Sequence, residues 1–203
     1  MPKSSRTLYN SFSNKATELR IVRTNFEAAL AANLITQNDI LQAYAGLFFD
    51  LFTSFEGVIE ELFIGLLKGE ISHIQPTQRI IKVSPKAQVE NAVYAGKDYL
   101  KWLPYDITKD RAGIYFLNSA PFNNITQANI NTLKTYQTIR NAIAHKSKSA
   151  MAKFNILISG LVLLPQERTP SGYLRSIPNP VANETQLEII STTLLNIMHT
   201  LCH

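Results

Sequence analysis

Residues 40–67 constrain this chain's fold more than any other stretch. Leu41, Tyr44, Leu47, Phe48, Leu51, Phe52, Phe55, Val58, Ile59, Leu62, Phe63 and Leu66 recur there at three- and four-residue steps, the period of an α-helix. They cover most of the helix circumference. A helix apolar on one stripe lies against a core, whereas one apolar nearly all round is buried on more than one side. Asp50, Glu56, Glu60 and Glu61 lie in the same stretch, and four carboxylates make a bilayer span costly. The stretch is therefore expected to be the central helix of a water-soluble bundle.

The polar residues Thr36, Gln37, Asn38 and Asp39 offer N-cap side chains for this helix, which runs to about Lys68 before Gly69 ends it. Ahead of it, residues 4–33 lack Gly and Pro and place Leu19, Val22, Phe26, Ala29 and Leu30 on one stripe, which predicts a first helix. Residues 71–85, with Ile80, Ile81, Val83 and Pro76, read as a loop or at most a short strand. Shorter helical pieces are expected near 86–103 and 106–117, broken by Pro104 and by the turn residues 119–124. Thr126 caps a strong helix to about His145, with Ile130, Leu133, Tyr136, Ile139 and Ile143 inward. Residues 156–164 either finish a helix or form a buried extended piece. Four prolines make 165–182 a loop, and Asn183 caps a last helix through Leu187, Ile190, Leu194, Ile197, Met198 and Leu201. The expected fold is all-α, a single domain over 1–203 with about four main helices and an irregular insertion near 70–125.

Charge is unevenly spread. Residues 27–70 hold seven acids against one base, and residues 106–183 hold nine bases against three acids. The second block would attract a polyanion, although the same residues also suit an ordinary solvated surface. The two halves also offer surfaces to an oppositely charged protein partner. One cysteine, Cys202, permits no intrachain disulfide, and the polar N-terminus has no apolar run behind it, so a cytoplasmic protein is expected. Glycine-rich phosphate loops, nucleophile elbows and paired-cysteine zinc spacings are missing from the sequence.

The basic block contains Arg140, Asn141, Ala142, Ile143, Ala144 and His145. On a helix, Asn141 and His145 stack one turn apart, and Arg140 falls within the same broad arc. The alanines are expected to keep that surface open while Ile143 turns to the core. Lys146 and Lys148 follow at the helix end and extend the basic face toward a substrate. These residue types suit RNA cleavage, because RNA carries its own nucleophile in the 2′-hydroxyl. The reaction then needs a proton acceptor such as histidine and a cation to hold the phosphate as charge spreads, with no metal or other cofactor. Proton transfer at both the attacking and the leaving oxygen is better served by two histidines, which a two-fold dimer would supply. The structural alternative makes His145 a surface histidine and Arg140 part of a salt link.

Other residues carry two readings each. Arg175 and Tyr173 offer a phosphate contact and a base stack, or Tyr173 packs on the bundle. Glu56 offers a carboxylate to orient Arg140 or His145, or it lies at the solvent edge of a buried helix. His199 and His203 have the four-residue spacing of a metal pair but lack a third ligand in sequence, so no metal site is assigned. Cys202 reads as a small apolar residue.

The six-residue motif, late in an all-α chain and following a strongly apolar second helix, resembles the signature of the HEPN superfamily. Residues 168–175 (Arg-Thr-Pro-Ser-Gly-Tyr-Leu-Arg) and the pair Phe55 and Glu56 are similar to its RiboL-PSP-HEPN branch. The resemblance covers most of the chain in order of elements, is specific in the motif, and does not extend to 71–125. It implies a helical bundle dimerising through the motif helices and a metal-independent endoribonuclease of toxin–antitoxin systems, phage defence or RNA processing. The oppositely charged partner that the acidic and basic halves suit would then be a neutralising antitoxin or another regulatory protein. Carried over, Arg140 and His145 form the catalytic pair, and Asn141 orients them or contacts the phosphate. Some members are non-catalytic modules for dimerisation and nucleotide or protein binding, so that alternative accompanies the reading.

Overall fold

Four long helices form where the apolar period is strongest, and short helices fill the remainder. The computed structural model describes residues 2–81, 83 and 85–203. The helices are α1 (Ser5–Ala31), α2 (Gln37–Lys68), α3 (Val89–Tyr94), α4 (Tyr105–Tyr115), α5 (Gln127–His145), α6 (Lys148–Ile158), α7 (Pro170–Arg175) and α8 (Gln186–Cys202). With 71% of the described residues helical, short 3-10 turns included, the class is all-α. β1 (Lys3–Ser4) and β2 (Ile71–Ser72) pair in parallel, with Lys3 opposite Ile71.

Side chains at the helix ends explain the boundaries. Thr36 Oγ1 accepts the Asp39 amide at 3.2 Å while Asp39 Oδ2 accepts the Thr36 amide at 2.8 Å, a reciprocal box that starts α2. Gly69 takes φ +69° and ends that helix, a conformation open to glycine at little cost. The Asn129 amide donates to Thr126 Oγ1 at 3.2 Å at the start of α5. α8 is started by Thr185 and Glu188 in a second reciprocal box, not by Asn183, which lies in the preceding turn with φ +51°. Each such cap is worth about 1 kcal/mol.

The chain folds as two compact units. The first comprises Met1–Ser13, Phe55–Lys134 and Leu195–His203. Its core is aromatic: Phe63 has ring centroids at 5.2 Å from Trp102, 5.2 Å from Phe116 and 5.1 Å from Phe122. The region expected as an irregular insertion thus supplies much of this core, with Val89, Val93, Leu103, Tyr105 and Ala112 also buried. Its helices are shorter than expected, since α3 stops where Ala95 and Gly96 adopt positive φ.

The second unit comprises Asn14–Ser54 and Thr135–Leu194. Tyr44, Phe48, Ile139, Ala142, Phe154, Leu174, Ile190 and Leu194 are buried in it. Residues 156–164 are not a buried extended piece: α6 ends at Ile158, and Leu161, Val162 and Leu164 are exposed. Residues 165–182 are not wholly loop. Pro165–Arg168 form a 3-10 turn, and Thr169 caps α7 with Pro170 at its first position, a place where proline's missing N–H costs nothing. Gly172 is required there because a Cβ would lie 2.0 Å from the Gln166 carbonyl oxygen. On α1 the buried apolar positions are Leu8, Phe12 and Ala16, whereas Leu19 and Phe26 are half-buried and Val22 is exposed.

Candidate active site

The motif occupies the last turns of α5 in the second unit. Tyr136, Ile139 and Ala142 are buried and fix the helix against the core. The phase differs from expectation by one position: Ala142 faces inward and Ile143 is half-buried. Ala144 and His145 are exposed, and Arg140 and Asn141 are half-buried. Lys146 then turns the chain with φ +44°. Ser147 caps α6 by accepting the Ala150 amide at 3.2 Å. His145, Lys146 and Lys148 therefore lie exposed at one helix–helix corner.

Arg140 is held without an acid. Its guanidinium carbon lies 5.5 Å from the centroid of the Phe49 ring, within cation–π range. Its Nη1 donates to Asn141 Oδ1 across a long 3.4 Å. Among the described residues Arg140 forms no ion pair, so none of their carboxylates cancels its charge. Phe49, which the sequence alone does not single out, is half-buried on α2.

The four histidines differ sharply. His73 accepts the Gln75 amide at Nδ1 (3.0 Å) and so donates from Nε2 to the Leu201 carbonyl at 2.9 Å. His199 and His203 stack face to face at 4.1 Å, and Tyr9 packs edge-on against both. Burial, and next the charge of His199, push His203 below the usual histidine range. Of the four histidines, only His145 has no side-chain partner among the described residues. No cluster of three or more His, Cys, Asp or Glu suited to a metal is found among the described residues. Burial pushes the Cys202 thiol up to about 12, so it stays protonated and is a poor nucleophile at neutral pH.

Two residues expected to bind substrate are engaged within the fold, Tyr173 in the packing that is its alternative reading. Tyr173 is buried, 8% exposed, with its ring 6.0 Å from Phe154 edge to face, so no base can stack on it. Arg175 donates from Nε and Nη2 to the two oxygens of Glu27 at 2.9 and 3.0 Å and from Nη1 to Gln37. Burial raises the affinity of Glu27 for a proton, but bonds from Arg175 and Tyr44 outweigh it and hold the carboxyl below its ordinary value. This pair lines a groove of about 850 Å³ with Arg23, Gln166, Glu167 and Thr185. Arg23 is bound by Glu188 at 2.8 Å, so both arginines there are neutralised. Glu56 is half-buried on the part of α2 that belongs to the first unit, and its expected role toward the motif rests on the sequence.

Candidate residues are thus brought together at the end of α5, whereas Arg175 and Tyr173 serve the packing of α7. No helix is long and apolar enough to cross a membrane among the described residues. Comparison with known proteins finds no protein-family model, curated protein or solved structure that matches this chain.

Proposed function

We propose that the chain is a HEPN-type endoribonuclease that cleaves RNA without a metal, through attack of the 2′-hydroxyl on the adjacent phosphorus. The observation that carries this reading is the arginine with an uncancelled charge, Arg140, less than two turns from the exposed and unpartnered His145 on one helix. In the proposed reaction the 2′-oxygen forms a bond to phosphorus and the bond to the 5′-oxygen breaks. One His145 takes the 2′-hydroxyl proton, and a second, from the other copy in a homodimer, gives a proton to the 5′-oxygen. Arg140 holds two phosphate oxygens as charge develops, and Asn141 orients the guanidinium. Lys146 and Lys148 draw the backbone in. The products are a 2′,3′-cyclic phosphate and a 5′-hydroxyl. Such an enzyme would act in the cytoplasm as a toxin or antiviral effector, restrained by an antitoxin or regulatory protein.

Purified wild type incubated with single-stranded RNA in EDTA should give these ends, and Arg140→Ala and His145→Ala should not. Unchanged cleavage by His145→Ala would sink the mechanism. A second reading, a non-catalytic module that dimerises and binds nucleotide or protein, is favoured by the exposed apolar residues Ile156, Leu161, Val162 and Leu164. It expects no cleavage at any protein concentration.

A further inference from the structure

An arginine that must grip a phosphate presents a design problem. Its side chain has to be held in place, yet its N–H donors and its charge have to stay available. A carboxylate partner fixes an arginine but offsets its charge and takes the two donors of one edge of the fork, as Glu27 does for Arg175. The face of an aromatic ring takes neither. Its quadrupole attracts the guanidinium plane, and the donors along the edge of the fork remain open.

We propose that Phe49 is the positioning residue for Arg140, an inference that rests on the ribonuclease reading of the site. Three observations support it. The guanidinium carbon lies 5.5 Å from the ring centroid. Among the described residues the only hydrogen bond of the fork is the long one to Asn141. Asp50, the carboxylate next to Phe49 on α2, is bound to Lys15 at 2.7 Å. Phe49 lies on α2 and Arg140 on α5, so the ring fixes the arginine from a separate helix, independently of the backbone that carries it. Phe49 touches no substrate in this scheme; it acts through Arg140.

The test uses the full chain. Phe49→Leu keeps an apolar side chain and removes the ring, and Phe49→Tyr keeps the ring. Cleavage of a mixed-sequence single-stranded RNA should fall about threefold to thirtyfold in Phe49→Leu and recover to within about twofold in Phe49→Tyr. Phe49→Met is the second variant should Phe49→Leu lose cooperative unfolding. Binding of the same RNA is then compared in the His145→Ala background. If Phe49 works through Arg140, Phe49→Leu weakens binding when Arg140 is present and adds nothing to Arg140→Ala. Wild-type cleavage by Phe49→Leu, or an equal loss of binding with and without Arg140, overturns the inference. If Arg140→Ala itself binds and cuts like the wild type, the ribonuclease reading falls and takes this inference with it. An Arg140-dependent rate that ignores Phe49 overturns the inference alone.

Discussion

Arg140 and Arg175 lie in the same unit, and the sequence offers both as phosphate ligands. Their surroundings separate them. Arg175 is clamped by both oxygens of Glu27 and by Gln37, which takes three of its five N–H donors and offsets its charge. Arg140 rests on a ring face with one long bond to Asn141. The same side chain therefore ties α7 to α1 in one place and remains open to an anion in the other. Residue type nominates an arginine for phosphate binding; the chemistry of what holds it decides.

That contrast can be broken in several ways. The largest effect should come from the motif: His145→Ala should cut RNA cleavage by about 10²–10⁴-fold, the usual reach of general acid–base catalysis. Arg140→Ala should cost about 10²–10³-fold. Arg175→Ala, measured beside them, should leave the rate per folded molecule within about twofold. An equal loss in the two arginine variants would dissolve the distinction.

Next comes stability around α7. Gly172→Ala would drive a methyl into the Gln166 carbonyl and should cost about 1–3 kcal/mol, the range for overpacking, seen as a lower Tm. Glu27→Gln should cost less, about 1 kcal/mol, because the pair is about a third exposed and solvent screens it. This pair also has a pH signature. A carboxyl held below its ordinary value of 4.5 when folded adds stability above that value, and the gain is lost as pH falls through the folded value. Acid unfolding followed by circular dichroism should therefore show a shallower low-pH limb in Glu27→Gln than in the wild type. The smallest effects belong to Lys146→Ala and Lys148→Ala. Each should weaken RNA binding a few-fold and reduce the salt dependence by about one phosphate contact.

Much of the fold was legible because its signals are local. The three- and four-residue apolar steps of α2 are buried at every position named except Leu41 and Val58, which are half-buried. Thr126 caps α5 as its position suggests. Two further signals were present but outweighed by neighbours. Thr185 and Glu188 carry the spacing of a capping box, two residues beyond the more obvious Asn183. Thr169, Pro170 and Gly172 mark the start of α7 inside a stretch whose prolines suggest only loop. The packing of residues 89–122 around Phe63 left no periodic trace, because aromatic packing there comes from short, irregular pieces. At the site, the spacing of Arg140, Asn141 and His145 was visible. The inward turn of Ala142 was not, since one residue's difference in helix phase rotates the face by about 100°. Nothing local links Phe49 to Arg140, nor Glu27 to Arg175, because each pair is joined only by the tertiary fold.

The most direct test is to incubate wild type, Arg140→Ala and Arg175→Ala with end-labelled single-stranded RNA in EDTA and to map the cut ends. Wild type and Arg175→Ala should yield 2′,3′-cyclic phosphates at similar rates, and Arg140→Ala should yield almost none. Cleavage that persists in Arg140→Ala, or that vanishes in Arg175→Ala while the protein stays folded, would contradict the assignment of Arg140 as the open phosphate ligand.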